Sequence, residues 1–168
     1  ADDSSCNMCE GTEFKQKEVD WSKRKKLLDN VIEKFRGKGD YDCLIPFSGG
    51  KDSTYTLYYL LKEYKIKPLV VRFNHGFYRS KMEKNVERTL KKLGVDFINF
   101  TPNWKIVKKL MWEAFSRKTD FCWHCHTGIY SYPLRIALKF NIPLVLWGEP
   151  LAEMSAYYTY EDDEIEWE

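Results

Sequence analysis

The sequence predicts an α/β fold, a parallel sheet with helices on both faces. Short apolar runs alternate with stretches of helical periodicity from Trp21 to Trp147, the pattern of strands joined by crossover helices. The apolar runs are nearly continuous, as strands covered on both faces are. A glycine turn, Ser48-Gly49-Gly50-Lys51-Asp52-Ser53, joins the first run directly to a helix. In open parallel sheets ligands bind beyond the carboxyl ends of the strands.

The elements follow in order. Trp21 to Phe35 carries Leu27, Leu28, Val31, Ile32 and Phe35 at helical spacing and is broken by Gly37 and Gly39. Tyr41 to Phe47 reads as the first strand, with Cys43 as a core residue. Ser53 to Tyr64 reads as a helix with Leu57, Leu60 and Leu61 inward. Pro68 to Phe73 is a second strand, and its one charge, Arg72, is expected to snorkel to solvent from the strand end, with a phosphate partner as the alternative. Lys81 to Leu93 is an amphipathic helix closed by Gly94. Val95 to Phe100 is a third strand. Trp104 to Phe115 is a helix with Ile106, Val107, Leu110 and Met111 inward and Lys105, Lys108 and Lys109 on a solvated face. Tyr130 to Phe140 is a helix with Pro133 in its first turn, where a missing N–H costs nothing. Pro143 to Trp147 is a fourth strand.

Of 168 residues, 43% are hydrophobic, enough for a core, which excludes global disorder. The apolar runs are too short to span a bilayer, and Ala1 to Glu10 lacks the apolar stretch of a signal peptide. The expected location is the cytoplasm. The net charge of +2 hides an asymmetry: residues 21–150 hold 25 bases against 12 acids, while residues 151–168 hold seven acids and no base. A basic body suits a polyanionic ligand, nucleotide or nucleic acid, or simply a lysine-rich solvated surface. Three segments result: a cysteine-containing stretch 1–20, a body 21–150, and an acidic tail 151–168.

The loop at Ser48–Ser53 has the chemistry of a phosphate cradle. Gly49 and Gly50 let backbone amides approach an anion. The helix that starts beside them adds free N–H groups and partial positive charge. Lys51 supplies a full charge, and Ser48 and Ser53 supply hydroxyl donors. Asp52 would repel a bare phosphate, so its natural use is to hold a Mg²⁺ that bridges phosphates. The pattern is not the Gly-x-x-x-x-Gly-Lys-Ser/Thr loop of common NTPases.

This hexapeptide resembles the signature of the PP-loop ATP pyrophosphatases, the adenine nucleotide alpha-hydrolase-like superfamily. The resemblance implies a Rossmann-like sheet, ATP with Mg²⁺, and cleavage between the α and β phosphates. Nucleoside contact carries over to Phe73 and Asn74 at the end of the second strand. Within the superfamily, three stretches look like the N-acetyl sugar amidotransferases: Ile45-Pro46-Phe47, the segment Asp120-Phe121-Cys122-Trp123-His124-Cys125-His126-Thr127-Gly128, and Leu146-Trp147-Gly148-Glu149-Pro150. Val19-Asp20-Trp21 with Arg24 also fits, and the likeness runs to about Tyr158. The implied nucleotide contacts then extend to Phe47, Gly128, Gly148 and Glu149, the last able instead to bind Mg²⁺ or a sugar hydroxyl. The implied reaction adenylates the acetamido oxygen of a nucleotide-linked amino sugar and replaces it with ammonia, giving an acetamidino group for surface polysaccharides. A separate glutaminase subunit would supply the ammonia, and a homodimer is compatible with the family. Against that family the chain looks short at its C-terminus and begins inside a cysteine module, as a fragment would. Lys51 and Asp52 are the expected catalytic residues, acting electrostatically.

Two Cys-x-x-Cys pairs, Cys6/Cys9 and Cys122/Cys125, have the ligand count of a tetrahedral Zn²⁺ site or an iron–sulfur cluster. Simple core packing of Cys122 and Cys125 is the alternative. His124 and His126, in an extended segment, would point away from the thiols; they and His75 read equally as substrate contacts or as structural residues. Tyr130, Tyr132, Tyr157, Tyr158 and Tyr160 suit packing better than stacking on a base or sugar. Two further functions compete: a tRNA-modifying PP-loop enzyme that transfers sulfur, and a nucleotide-binding protein with a structural metal and no catalysis.

Overall fold

The computed structural model describes residues 7–149. They fall into two units, residues 7–34 with Glu149, and Phe35–Gly148. Cys6, the acidic stretch 151–168 and Tyr157, Tyr158 and Tyr160 lie outside the described residues.

The first unit is helical. Helix α1 (Asn7–Lys17) was not expected, since its sequence has little amphipathic pattern. It carries Cys9, which is exposed on it. Helix α2 (Trp21–Phe35) starts where Asp20 Oδ1 accepts from the Lys23 N–H at 2.9 Å, an N-cap bond. The Trp21 indole N–H donates to the Lys15 carbonyl at 2.9 Å and ties the two helices together. Of the inward set expected in α2, Ile32 is buried while Leu27 and Val31 are exposed.

The second unit holds three parallel strands, β1 (Cys43–Pro46), β2 (Pro68–Phe73) and β3 (Asp96–Phe100), side by side in that order. Leu44 pairs with Leu69 and Val71 with Ile98. The expected fourth strand is reduced to one parallel bridge, Leu44 to Val145, made by Leu44 N–H to the Leu144 carbonyl and Leu146 N–H to the Leu44 carbonyl. β1 is only four residues long and Pro143 has no N–H to give, so the ladder cannot lengthen. The bridge still lays this segment along β1, on the side away from β2.

Alternation along the strands sends side chains to both faces. Leu44, Leu69 and Val71 pack against Ile136 and Ala137 of helix α6 (Trp123–Lys139) and against Ile142. Ile45, Val70 and Arg72 face the other way, where Arg72 meets Glu83 of helix α4 (Ser80–Leu93). Each fully buried aliphatic chain of this core contributes roughly 1.5–3 kcal/mol. Cys43 is buried within it, as expected, and its thiol is pushed up to about 12 by that burial.

Three expectations about these elements are corrected. Helix α3 (Lys51–Tyr59) begins two residues early, inside the glycine turn, and ends in a widened π-type turn, Leu60–Tyr64. α6 begins at Trp123, so Pro133 is its eleventh residue and not part of its first turn. Burial of Gly128, Pro133, Ile136 and Ala137 outweighs the roughly 3 kcal/mol that an interior proline costs. In helix α5 (Trp104–Lys118) only Val107 and Ala114 are buried. Ile106 and Leu110 are exposed, because α5 rests on α6 and not flat on the sheet.

Candidate functional site

The loop between β1 and α3 is built by short-range bonds. Phe47 is buried and its N–H donates to the Val71 carbonyl, so the chain leaves the sheet from a fixed point. Ser48 Oγ accepts from the Gly50 N–H at 3.2 Å and lies 3.0 Å from Ser53 Oγ. The two hydroxyls therefore close the loop on itself. Gly49 has φ +83°, in the region that favours glycine, and a Cβ there would lie 2.3 Å from Val86 of α4. Gly50 is the N-cap of α3 and no side chain caps that helix, so its first turn keeps N–H groups for a ligand.

Ser53 is buried beneath this turn, while Lys51 and Asp52 stand exposed and pair with each other at 2.6 Å. An ion pair this open to water is weak, so it yields readily to an incoming charged ligand. Backbone amides, two hydroxyls, an ammonium and a carboxylate are the donor set that a Mg²⁺-bound triphosphate requires, and these residues fit it.

The flanking glycines act by close approach. A Cβ on Gly148 would come within 2.9 Å of the Ser53 Cα, so the end of the bridge segment lies directly against the start of α3. A Cβ on Gly128 would come within 2.2 Å of the Phe73 ring. That ring also meets Phe100 at 5.9 Å and Tyr132 at 6.3 Å, which makes Phe73 part of an aromatic cluster at the end of β2. Asn74 follows it, held by its N–H to the Phe100 carbonyl and by its Oδ1, which accepts from the Gly76 N–H. Glu149 is exposed and belongs to the helical unit.

Arg72 does not snorkel. It is 3% exposed, donates to Glu83 Oε2 at 2.7 Å and to Asn99 Oδ1 at 2.9 Å, and lies over the Tyr78 ring at 4.8 Å. The carboxylate from α4 and the amide from β3 make burial tolerable, and neither partner is local in sequence. One guanidinium nitrogen, Nη1, has no partner.

The Cys-x-x-Cys segment is helical and not extended. Asp120 Oδ1 accepts from the Cys122 N–H at 2.8 Å, and the Cys125 N–H donates to the Cys122 carbonyl. Cys122 is exposed and Cys125 half-buried. Burial first, and then the neighbouring Cys122, push the Cys125 thiol up, away from the reactive thiolate.

Of the four thiols expected to share a Zn²⁺ or an iron–sulfur cluster, Cys9 lies on α1, and Cys122 and Cys125 open α6. Among the described residues there is no group of three or more His, Cys, Asp or Glu that could hold a metal ion. Cys6, the remaining member of the set, lies outside the described residues.

Helical geometry also separates the two histidines. His126 is exposed, whereas His124 is 5% exposed and neither ring nitrogen has a hydrogen-bond partner of good geometry. Its pKa is lowered, mainly by burial; the nearby Phe121 carbonyl opposes this weakly. His75 is lowered too, by burial and then by His124. Its ring stacks at 4.2 Å on Tyr78, and its Nδ1 accepts from the Phe77 N–H. Trp104, Tyr78 and Glu83 were missed by sequence reasoning. Only Trp104 carried a signal there, as an aromatic residue opening a helix just past a strand end.

Sheet order and crossover helices make a Rossmann-like parallel sheet with helices on both faces, with the glycine loop following β1, a fold this chain shares with solved structures. Two solved structures show the likeness. One is the NH3-dependent NAD synthetase from Campylobacter jejuni (TM-score 0.61, 15% identity, 83% of this chain and 61% of that one). The other is the U34-tRNA thiolase NcsA from Methanococcus maripaludis with its 4Fe–4S cluster (TM-score 0.53, 17% identity, 79% of this chain and 48% of that one). An uncharacterized protein of Methanocaldococcus jannaschii is 24% identical over 132 residues, 78% of this chain and 47% of that protein. The chain thus spans about half the length of this relative. No protein-family model matches the sequence. No helix among the described residues is long and apolar enough to cross a membrane.

Proposed function

We propose that this chain is the ATP-binding part of an enzyme that forms AMP and pyrophosphate while converting an acetamido group to an acetamidino group on a nucleotide-linked amino sugar. The observation that carries the ATP reading is the loop: φ +83° at Gly49, an uncapped α3, paired hydroxyls of Ser48 and Ser53, and exposed Lys51 and Asp52. The loop amides and Lys51 would hold the β and γ phosphates as pyrophosphate departs. Asp52 would hold Mg²⁺, which supplies charge neutralisation at those phosphates.

AMP passes to the acetamido oxygen, which turns a poor leaving group into a good one. Ammonia then adds to the carbon, the C–O bond breaks, and AMP leaves with the oxygen. No protein nucleophile is required, and the raised Cys125 thiol agrees with that. The sugar acceptor rests on the resemblance carried by residues 120–128 and 146–150. A separate glutaminase is the proposed ammonia source.

The test is a panel of nucleotide sugars with ATP and ammonium, monitored for AMP. AMP release should require both a sugar and ammonium, and Lys51→Ala should abolish it without loss of fold, since Lys51 is 88% exposed. ATP binding without turnover on any sugar would overturn the reaction.

A second reading, tRNA modification, is favoured by one observation. α5 and the start of α6 expose Trp112, Phe115 and Trp123 among Arg117 and Lys118, with Lys118 Nζ 5.9 Å from the Trp123 ring centroid. Aromatic and basic side chains interleaved in this way suit single-stranded nucleic acid. Salt-dependent binding of tRNA together with tRNA-dependent AMP release would select it.

A further inference from the structure

We propose that a cleft at the carboxyl ends of β2 and β3 seats the pyranose ring of the acceptor; this rests on the sugar reading above. The cleft has a volume of about 260 Å³ and is lined by Asn74, His75, Gly76, Thr101, Pro102 and Trp104. That is roughly nine water volumes, the scale of one substituted ring.

Its chemistry is one flat apolar wall with polar groups at the rim. Trp104 is the wall. Gly76, at φ +89°, lets the ring lie so close that a Cβ there would be 2.9 Å from it, and Phe77 meets it edge-on at 5.9 Å. The ring is thus fixed in place yet 43% exposed. At the rim, Asn74 Oδ1 and His75 Nδ1 are already engaged by the backbone N–H groups of Gly76 and Phe77. Those bonds orient both side chains and leave the Asn74 amide N–H groups and the His75 Nε2 proton as donors, beside the Thr101 hydroxyl. A pyranose offers a flat C–H face to an aromatic ring and hydroxyls to such donors.

A nucleotide-linked sugar also carries a diphosphate. Lys108 Nζ lies over the Trp104 ring, 5.9 Å from its centroid, which places a cation next to the wall. The phosphate loop leaves β1, the strand next to β2, and neighbouring strands are about 4.8 Å apart. Cleft and loop therefore open at the same end of the sheet.

Saturation-transfer NMR on the intact chain tests this with two probes, N-acetylglucosamine and UDP-N-acetylglucosamine, with and without Mg²⁺ and ATP. The pyranose protons should receive saturation in both conditions. Trp104→Ala should weaken sugar binding about ten-fold and Trp104→Phe should restore most of it. Lys108→Ser should weaken UDP-N-acetylglucosamine but not the free sugar. Absence of transfer in the wild type, equal binding in Trp104→Ala when Trp104→Phe is folded, or displacement of the sugar by ATP would each overturn the seat, the last by making the cleft a nucleoside pocket. The two proposals fail separately. AMP release from UDP-N-acetylglucosamine with a KM untouched by Trp104→Ala would remove the seat and keep the reaction. Sugar bound at Trp104 without any AMP release would remove the reaction and keep the seat.

Discussion

Replacing Gly49 with alanine perturbs the loop in two ways that can be measured apart. The residue sits at φ +83°, and a left-handed conformation costs an L-residue about 1–2 kcal/mol. The new Cβ would also lie 2.3 Å from Val86 Cγ2, in a side chain that is 3% exposed and cannot swing into solvent. Overpacking of that kind costs about 1–3 kcal/mol, so Gly49→Ala should lose about 2–5 kcal/mol in all. Val86→Ala alone should lose about 2 kcal/mol through transfer and cavity. The double variant removes the clash and keeps the strain, so the two costs should couple favourably by about 1–3 kcal/mol. Gly94→Ala is the control: φ is +66° but nothing lies within 4 Å of an added Cβ, so only about 1 kcal/mol should be lost. Urea unfolding of the four variants against wild type reads all of these. Strictly additive losses, or a Gly49→Ala variant no worse than Gly94→Ala, would refute close packing of α4 on the loop.

Other outcomes follow from buried groups. Glu83→Ala should destabilise by about 2 kcal/mol, less than a fully buried pair because Glu83 is 37% exposed, whereas the double change Arg72→Met with Glu83→Leu should cost less than Glu83→Ala alone in thermal unfolding. Cys43 is raised to about 12 in the folded state from an ordinary value near 9, so the unfolded chain gives up its proton first. Stability should be whole below pH 9 and fall as pH rises toward 12, and Cys43→Ala should flatten that slope in denaturant titrations across this range. His124 is lowered, so the unfolded chain takes up a proton first. Stability should fall as pH drops below about 6.5, and His124→Gln should reduce that loss. Iodoacetamide should label exposed Cys122 faster than Cys125, whose half-buried thiol is raised; equal rates at pH 8 would contradict the burial of Cys125.

Local signals in the chain determined most of the sheet and the loop. β2 and α4 match their expected extents within a residue, because a valine-rich run and a strongly amphipathic helix ending in glycine are settled within a few neighbours. Ser48 to Ser53 announces a phosphate cradle through residue types alone, since glycine freedom, a cation and hydroxyls act at short range. Tertiary structure decided the rest. The fourth strand shrank to a bridge because its length depends on β1 and not on its own composition. Pro133 sits within a long helix because burial against the sheet exceeds its local penalty. Arg72 is buried because Glu83 and Asn99, 11 and 27 residues away, converge on it. Gly128 and Gly148 are held by backbone and ring contacts with Phe73 and Ser53 that no spacing rule reveals. Hydrophobic period and turn chemistry are written between neighbours, whereas the partners that make a buried charge or a close approach tolerable come from elsewhere in the chain and exist only once it has folded.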